Sequence, residues 1–283
     1  MNCAWQAYLN LLPPGIRGQV DKLGKNQLLE MRLREGMKAE LVTTDGFIYL
    51  DHLVVNQDIT YCINSASRYS PWAHQTTSFG YITAPGGHRL GICGEMAVNA
   101  GINTGIRTPT SLCIRVARDF PNIADGMKGI KGSVLIVGAP GCGKTTLLRD
   151  LIRQQSETGT FVSVVDEREE IFPRVGGSFC FYQGAHTDIL TGCQKTTGIE
   201  ILLRTMTPQV IAVDEITAKE DCDAVLKAGW CGVRLLATIH AGSLKDFYKR
   251  PIYKPLSESG LFDTVVVMGA DKSYKIERTN LCK

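Results

Sequence analysis

Apolar and polar positions change rhythm about halfway along the chain. From Ser133 onward, short apolar runs rich in β-branched residues occur at 134–137, 161–165, 210–213 and 235–238, separated by segments of helical spacing. That alternation predicts parallel strands joined by helical crossovers, with helices on both faces of the sheet. Residues 265–267 give a further strand near the end. The first half reads as α+β. Residues 5–12 have helical spacing and stop at Pro13, Pro14 and Gly15, residues 28–33 alternate, and 47–50 is a strand candidate. Residues 81–83 and 89–92 flank Pro85, Gly86 and Gly87 as a hairpin with a glycine-supplied turn. Gly91, Gly94, Gly101 and Gly105 mark a loop-rich passage, and 113–116 is apolar again. Proline, glycine and asparagine over 121–132 place a domain boundary there. The expected organisation is a smaller α+β domain over 1–125 followed by an α/β domain over 126–283.

Composition changes this picture little. A chain of 283 residues accommodates two domains, and 44% apolar with 21% charged residues is ordinary globular usage. A net charge of +3 does not amount to a nucleic-acid-binding face. Ten cysteines are scattered without a C-x-x-C pair or zinc-like spacing, which suits free thiols in a reducing cytosol. The N-terminus has neither the basic nor the apolar region of a signal peptide. No apolar run approaches the roughly 20 residues of a spanning helix. The expectation is a cytoplasmic protein that reaches a membrane only through a partner.

The chemistry begins after the first apolar strand of the second half. Gly138, Ala139, Pro140, Gly141, Cys142, Gly143, Lys144 and Thr145 satisfy G-x-x-x-x-G-K-[ST], with a strand before them and helical spacing from Thr146 onward. Glycines let the backbone curl so that successive N–H groups face a phosphate, and the helix N-terminus adds a favourable field. Lys144 is expected to bridge the β- and γ-phosphates of ATP, and the Thr145 hydroxyl to coordinate Mg²⁺. Cys142 reads as a small loop residue whose alkylation should block nucleotide access.

Three later strands end in polar groups. Residues 210–213 run into Asp214 and Glu215: an aspartate there can hold the Mg²⁺ shell, and the adjacent glutamate can polarise water for attack on the γ-phosphate. This favours hydrolysis over phosphoryl transfer to a metabolite. Residues 235–237 lead to Thr238, placed to sense the γ-phosphate or position water, and to His240, open between a structural role and reading nucleotide state. Val165 leads into Asp166, Glu167, Arg168, Glu169 and Glu170, a charged run at the carboxyl end of a strand, where open α/β sheets bind ligands.

In order along the chain, these residues resemble the stage III sporulation protein AA family, mother-cell ATPases related to the type II and type IV secretion ATPases. The likeness runs over nearly the whole chain. It is carried by Glu30-Met31-Arg32-Leu33-Arg34, Gly80-Tyr81-Ile82-Thr83, Gly86-Gly87-His88-Arg89-Leu90-Gly91-Ile92-Cys93-Gly94 and Ser111 to Arg118. In the second half it continues through Pro140 to Asp150, Val165 to Arg168, Thr187-Asp188-Ile189-Leu190 and Asp214-Glu215-Ile216. The resemblance implies an N-terminal domain joined to a RecA-like P-loop ATPase core, working as a homo-oligomeric ring, a hexamer. It implies an acidic box over 166–170, a histidine box over 237–240 and an arginine-bearing segment around Arg204. The implied role is driving assembly of, or transport through, a mother cell–forespore channel, docked to membrane-embedded channel proteins.

The sequence departs from the family pattern at His186, at Gln194 and around Phe262-Asp263-Thr264. Arg107, Arg115, Arg118 and Arg204 all stand as candidates for an arginine acting across a subunit interface. Two other readings compete. A nucleic-acid-associated P-loop ATPase would want an appended module or a basic stripe, and the chain stops soon after the ATPase domain; no nucleic-acid partner is expected. A metabolite kinase has less need of Glu215.

Overall fold

The β-branched runs after Ser133 become strands buried on both faces. In the computed structural model, which describes residues 1–67, 80–99 and 102–278, the chain forms two units. One is Met1–Asp119 together with Pro173–Phe181, the other Phe120–Phe172 together with Tyr182–Lys283.

The first unit contains helices α1 (Trp5–Leu11), α2 (Pro14–Leu23) and α3 (Asn56–Ser67). Its strands are β1 (Leu28–Arg34), β2 (Lys38–Thr43), β3 (Gly46–Leu53), β4 (Tyr81–Ala84), β5 (His88–Asn99) and β6 (Ile102–Arg115). They form an antiparallel sheet in the order β3-β2-β1-β6-β5-β4. Met31, Leu33, Leu41, Leu90, Ile92, Leu112 and Ile114 from the strands share one core with Tyr8, Leu12, Ile16 and Ile59 from the helical side. Alternation then leaves the opposite sheet face more polar, as an antiparallel sheet allows.

Two expectations for this unit change. Pro13 and Pro14 do not only stop a helix. Pro14 opens α2 at its first position, where the missing N–H costs nothing. The glycine-marked passage is mostly a long hairpin of β5 and β6 rather than loop, with Gly101 outside the described residues. Gly94 sits at a register shift of that hairpin, where a Cβ would lie 2.0 Å from the Thr108 carbonyl oxygen. Its glycine permits close approach of two strands, which periodicity alone reads as a turn.

The second unit is built from β7 (Val134–Gly138), α4 (Lys144–Glu157) and β8 (Val162–Asp166). The short pair β9 (Arg174–Val175) and β10 (Ser178–Phe179) belongs with the first unit. The second unit resumes with β11 (Thr187–Thr191), α5 (Lys195–Thr205), β12 (Val210–Ile216), α6 (Lys219–Trp230) and β13 (Arg234–His240). It closes with α7 (Leu244–Lys249), α8 (Lys254–Glu258), β14 (Thr264–Met268) and β15 (Tyr274–Arg278). The sheet order is β11-β8-β12-β13-β7-β14-β15, parallel throughout except for β15. Leu135, Val137, Ile211, Val213, Leu235 and Ala237 point into a core shared with Ile199, Leu202, Cys222 and Val225 of α5 and α6. Alternation turns Ile136, Ala212, Leu236 and Thr238 to the other face, which α4 covers. Each fully buried Val, Leu or Ile contributes about 1.5–3 kcal/mol. Every parallel strand therefore presents its carboxyl end, with its polar residues, to the same edge.

Candidate functional site

The site forms along that edge. β7 ends at Gly138, and α4 begins at Lys144 after Gly143, whose φ of +99° is left-handed. The first intrahelical bond shown runs from Leu147 N to Gly143 O at 3.0 Å, so the amides ahead of it face the loop. A Cβ on Gly138 would stand 2.5 Å from Cys142 Sγ and 2.9 Å from Met268 Cβ. The loop is thus a cradle that a side chain would fill, as close approach of a phosphate requires. Ala139, Pro140 and Gly141 are exposed on its rim, Cys142 is buried beneath, and Thr146 is partly buried in the first helical turn.

Lys144 is only 4% exposed, and its ammonium is held by two neighbours. Nζ donates to Ala139 O at 2.9 Å and to His240 Nδ1 at 3.0 Å. A bare Nδ1 puts the ring proton of His240 on Nε2, which lies 3.0 Å from Glu215 Oε1 and donates to it. The other oxygen, Glu215 Oε2, faces Arg168 Nη1 at 3.4 Å. Lys144, His240, Glu215 and Arg168 therefore form one continuous chain.

A second group of contacts converges on Asp214. Thr145 Oγ1 donates to Asp214 Oδ2 at 2.6 Å, and Thr238 Oγ1 donates to Asp214 Oδ1. Thr238 Oγ1 also accepts the Glu215 amide at 2.8 Å, so this fully buried threonine ties two strand ends together. Thr145 and Asp214 offer a hydroxyl and a carboxylate side by side, an oxygen set that suits Mg²⁺ completed by water and phosphate. The cradle and this pair both fit a Mg²⁺-bound nucleoside triphosphate.

Consecutive residues of a strand point to opposite faces, so Asp214 and Glu215 should not share a site. They share it because the β12–β13 pairing slips between Val213 and Ile216 and Glu215 has a φ of +52°. The left-handed residue in this bulge turns Glu215 toward His240. Periodicity gave no sign of it.

The acidic segment divides its roles. Asp166 is buried and accepts three backbone amides, Glu170 N at 2.9 Å, Ile171 N at 3.0 Å and Phe172 N at 2.8 Å. Burial pushes its carboxyl from 3.8 up to about 6, against the pull of those donors, and Asp214 adds to the rise. Arg149 of α4 donates to the Glu170 and Ile171 carbonyls of the same turn. Glu167 pairs with Lys195 at 2.7 Å, a buried lysine for which the sequence carried no signal, and Lys195 also lies 3.9 Å from Asp221. Of this segment, Arg168 reaches Glu215.

The arginine candidates are placed as follows. Arg204 is exposed in the last turn of α5. In the first unit, Arg107 pairs with Glu95, Arg115 lies 3.5 Å from Glu30, and Arg118 donates to the Lys25 and Leu28 carbonyls. His186 is held by Ser156, through Oγ at its amide and O at Nδ1. No helix among the described residues is long and apolar enough to cross a membrane.

Sheet order, phosphate cradle and strand-end acids together define a RecA-like P-loop ATPase fold, preceded by a smaller α+β domain. The solved structure of the pilus retraction motor PilT with bound ADP superimposes with a TM-score of 0.61 at 14% identity, over 94% of this chain and 83% of that one. The family described as sporulation stage III, protein AA matches residues 6–277, and the chain belongs to that family. Stage III sporulation protein AA of Bacillus subtilis (strain 168) is 33% identical over 277 residues, covering 93% of this chain and 90% of that protein. Protein SEEDLING PLASTID DEVELOPMENT 1 of Arabidopsis thaliana is 26% identical over 257 residues, and the chain spans only 35% of its length.

Proposed function

We propose that the chain hydrolyses ATP with Mg²⁺ and works as a secretion-type motor, energising assembly of or transport through a channel between mother cell and forespore. The observation that carries the hydrolytic reading is the bulge at Asp214–Glu215, which brings both carboxylates to the cradle when strand geometry would part them. The backbone of 138–143 and the first turn of α4 hold the β-phosphate, and Lys144 Nζ is the cation for the β- and γ-phosphates. Thr145 and Asp214 hold Mg²⁺, which when bound neutralises charge on the phosphate oxygens. Thr238 fixes the carboxylate of Asp214 and the amide of Glu215. Glu215 orients the attacking water and takes its proton; His240, donating from Nε2, keeps that carboxylate aimed.

Family membership supports the sporulation role, and the PilT-like fold supports a motor. In this reading the protein is a homo-oligomer, a hexamer, at the cytoplasmic face of the mother-cell membrane, attached through membrane-embedded channel proteins. An arginine of a neighbouring subunit supplies charge to the γ-phosphate; exposed Arg204 is the candidate in the second unit.

Phosphate release and nucleotide binding test the chemistry. Lys144→Ala should abolish ATP binding, and Glu215→Gln should bind ATP and release no phosphate. Normal turnover by Glu215→Gln would remove the catalytic-water role. Light scattering with a non-hydrolysable ATP analogue tests the ring: a chain that stays monomeric at all concentrations would sink it.

A further inference from the structure

A lysine buried at the head of a helix is out of place on two counts. Lys195 is the first residue of α5 and only 7% exposed, and Gln194 ahead of it makes no side-chain cap. A cation in the first turn opposes the helix dipole, and burial strips it of water. Packing alone is met as well by an apolar side chain of similar length. What distinguishes the lysine is the pair of carboxylates it joins.

Nζ donates to Glu167 Oε2 at 2.7 Å and lies 3.9 Å from Asp221 Oδ2. Glu167 belongs to the turn that follows β8. Asp221 lies in the first turn of α6, and its Oδ2 accepts the amides of Thr217 at 3.1 Å and Ala218 at 3.2 Å, in the turn that follows β12. Lys195 thus spans the exits of two neighbouring parallel strands. Gly198 makes this placement possible. A Cβ there would stand 2.5 Å from Val165 Cγ1, so the first turn of α5 lies directly against the end of β8.

Both exits lead to Glu215. Arg168, next to Glu167, faces Glu215 Oε2 at 3.4 Å, and Thr217 follows Glu215 by two residues. Glu215 holds a φ of +52°, a conformation a glutamate keeps only where its surroundings fix it. Thr238 anchors the Glu215 amide, and Asp221 anchors the backbone just beyond. Glu167, Arg168, Lys195, Asp214 and Glu215 line one crevice between the two strand ends.

We infer that Lys195 is a positioning residue for hydrolysis: by joining Glu167 to Asp221 it fixes Glu215 from both sides. The inference rests on Glu215 as the group that orients the attacking water. Lys195 acts through other residues, so its loss slows turnover and leaves nucleotide affinity alone. Removing the ammonium frees both turns, whereas removing the Glu167 charge frees the β8 turn only.

The test compares the full chain with Lys195→Met, which keeps the stem and removes the charge, and with Glu167→Gln. In Lys195→Met, kcat for phosphate release should fall about tenfold or more, with calorimetric ADP affinity within about twofold of the parent. Hydrogen exchange in ADP and Mg²⁺, read by mass spectrometry, should quicken about threefold or more over 167–172 and 216–219. In Glu167→Gln it should quicken over 167–172 alone, and 134–137 is the unchanged reference in both. A smaller loss of kcat, ADP affinity lost in step with kcat, or slower exchange than expected in either turn overturns the proposal. Glu167 is partly exposed, so its variant keeps the test open should Lys195→Met fail to fold: unchanged kcat and exchange in it overturn the proposal too. A parent that releases no phosphate defeats the hydrolytic reading alone, and the exchange pattern then decides for or against the clamp.

Discussion

Replacing Glu215 with glycine and with alanine isolates the backbone conformation from the side chain. Both variants lose the same interactions, with His240 at 3.0 Å and Arg168 at 3.4 Å, so those losses cancel between them. What differs is the cost of a φ of +52°, which an L-residue pays and glycine does not. Left-handed backbone costs a non-glycine residue about 1–2 kcal/mol. Glycine in a regular strand instead costs about 0.5–1 kcal/mol relative to alanine, chiefly through the unfolded chain. The two effects oppose, so Glu215→Gly should equal Glu215→Ala in stability or exceed it by up to about 1.5 kcal/mol. Ala212→Gly, three residues earlier on the same strand and fully buried, serves as reference and should destabilise by at least about 1 kcal/mol. For a chain of this size 1 kcal/mol moves Tm by about 2–4 °C, which circular dichroism resolves. Phosphate release should be at background in both Glu215 variants. If Glu215→Gly lies below Glu215→Ala by the margin that separates Ala212→Gly from the parent, the bulge stores no strain and the account of how Glu215 enters the site is wrong.

Gly138→Ala forces a methyl to within 2.5 Å of Cys142 Sγ and should cost about 1–3 kcal/mol while weakening ATP binding; a titration with a fluorescent ATP analogue that is unchanged would contradict the cradle. Thr238→Val keeps shape but removes a hydroxyl that donates to Asp214 and accepts the Glu215 amide. It should destabilise by about 1–3 kcal/mol and reduce turnover more than ATP affinity, read by unfolding and steady-state phosphate release. Asp166 makes a prediction in pH. Its folded carboxyl titrates near 6, above the 3.8 of the unfolded chain, so the native form holds its proton more tightly. Its contribution is complete below pH 3.8 and is lost as pH rises through 6, by about 3 kcal/mol. Urea unfolding should therefore show the parent losing stability relative to Asp166→Asn between pH 4 and 6.5, and a constant difference would refute the shift.

Much of the second unit was legible because parallel strands buried on both faces are continuous apolar runs. Residues 134–137, 210–213 and 235–238 lie within β7, β12 and β13, and 265–267 within β14. The first unit was harder for a physical reason. Its strands have one polar face, and glycines such as Gly94 sit inside a strand because of a close carbonyl, a fact that belongs to the partner strand. Pro14 was read as a stop although the same ring geometry starts a helix. The phosphate loop was legible because its chemistry depends on contiguous backbone, whereas Lys195 lies 28 residues from its partner Glu167 and has no local signature.

Strand-end acids expose the limit more sharply. Asp166 and Asp214 each close an apolar strand of the same parallel sheet, and β8 and β12 are neighbours. From the sequence both look like ligands for a nucleotide site. Asp214 meets two hydroxyls, from Thr145 and Thr238, and the Glu215 amide at 3.1 Å on Oδ1, which leave its Oδ2 with capacity toward the cradle. Asp166 meets three backbone amides, with Arg149 holding the same turn through its carbonyls, so its oxygens are committed to shaping that turn. The turn it shapes carries Arg168, and Arg168 contacts Glu215. Asp166 is therefore a positioning residue whose loss would reach Glu215 through the turn. This separates it from Asp214 in experiment: Asp166→Asn should displace Arg168 and lower turnover with ATP binding retained, while Asp214→Asn should lower Mg²⁺-dependent ATP affinity itself. Equal loss of Mg²⁺-dependent affinity in both variants would return Asp166 to the nucleotide site.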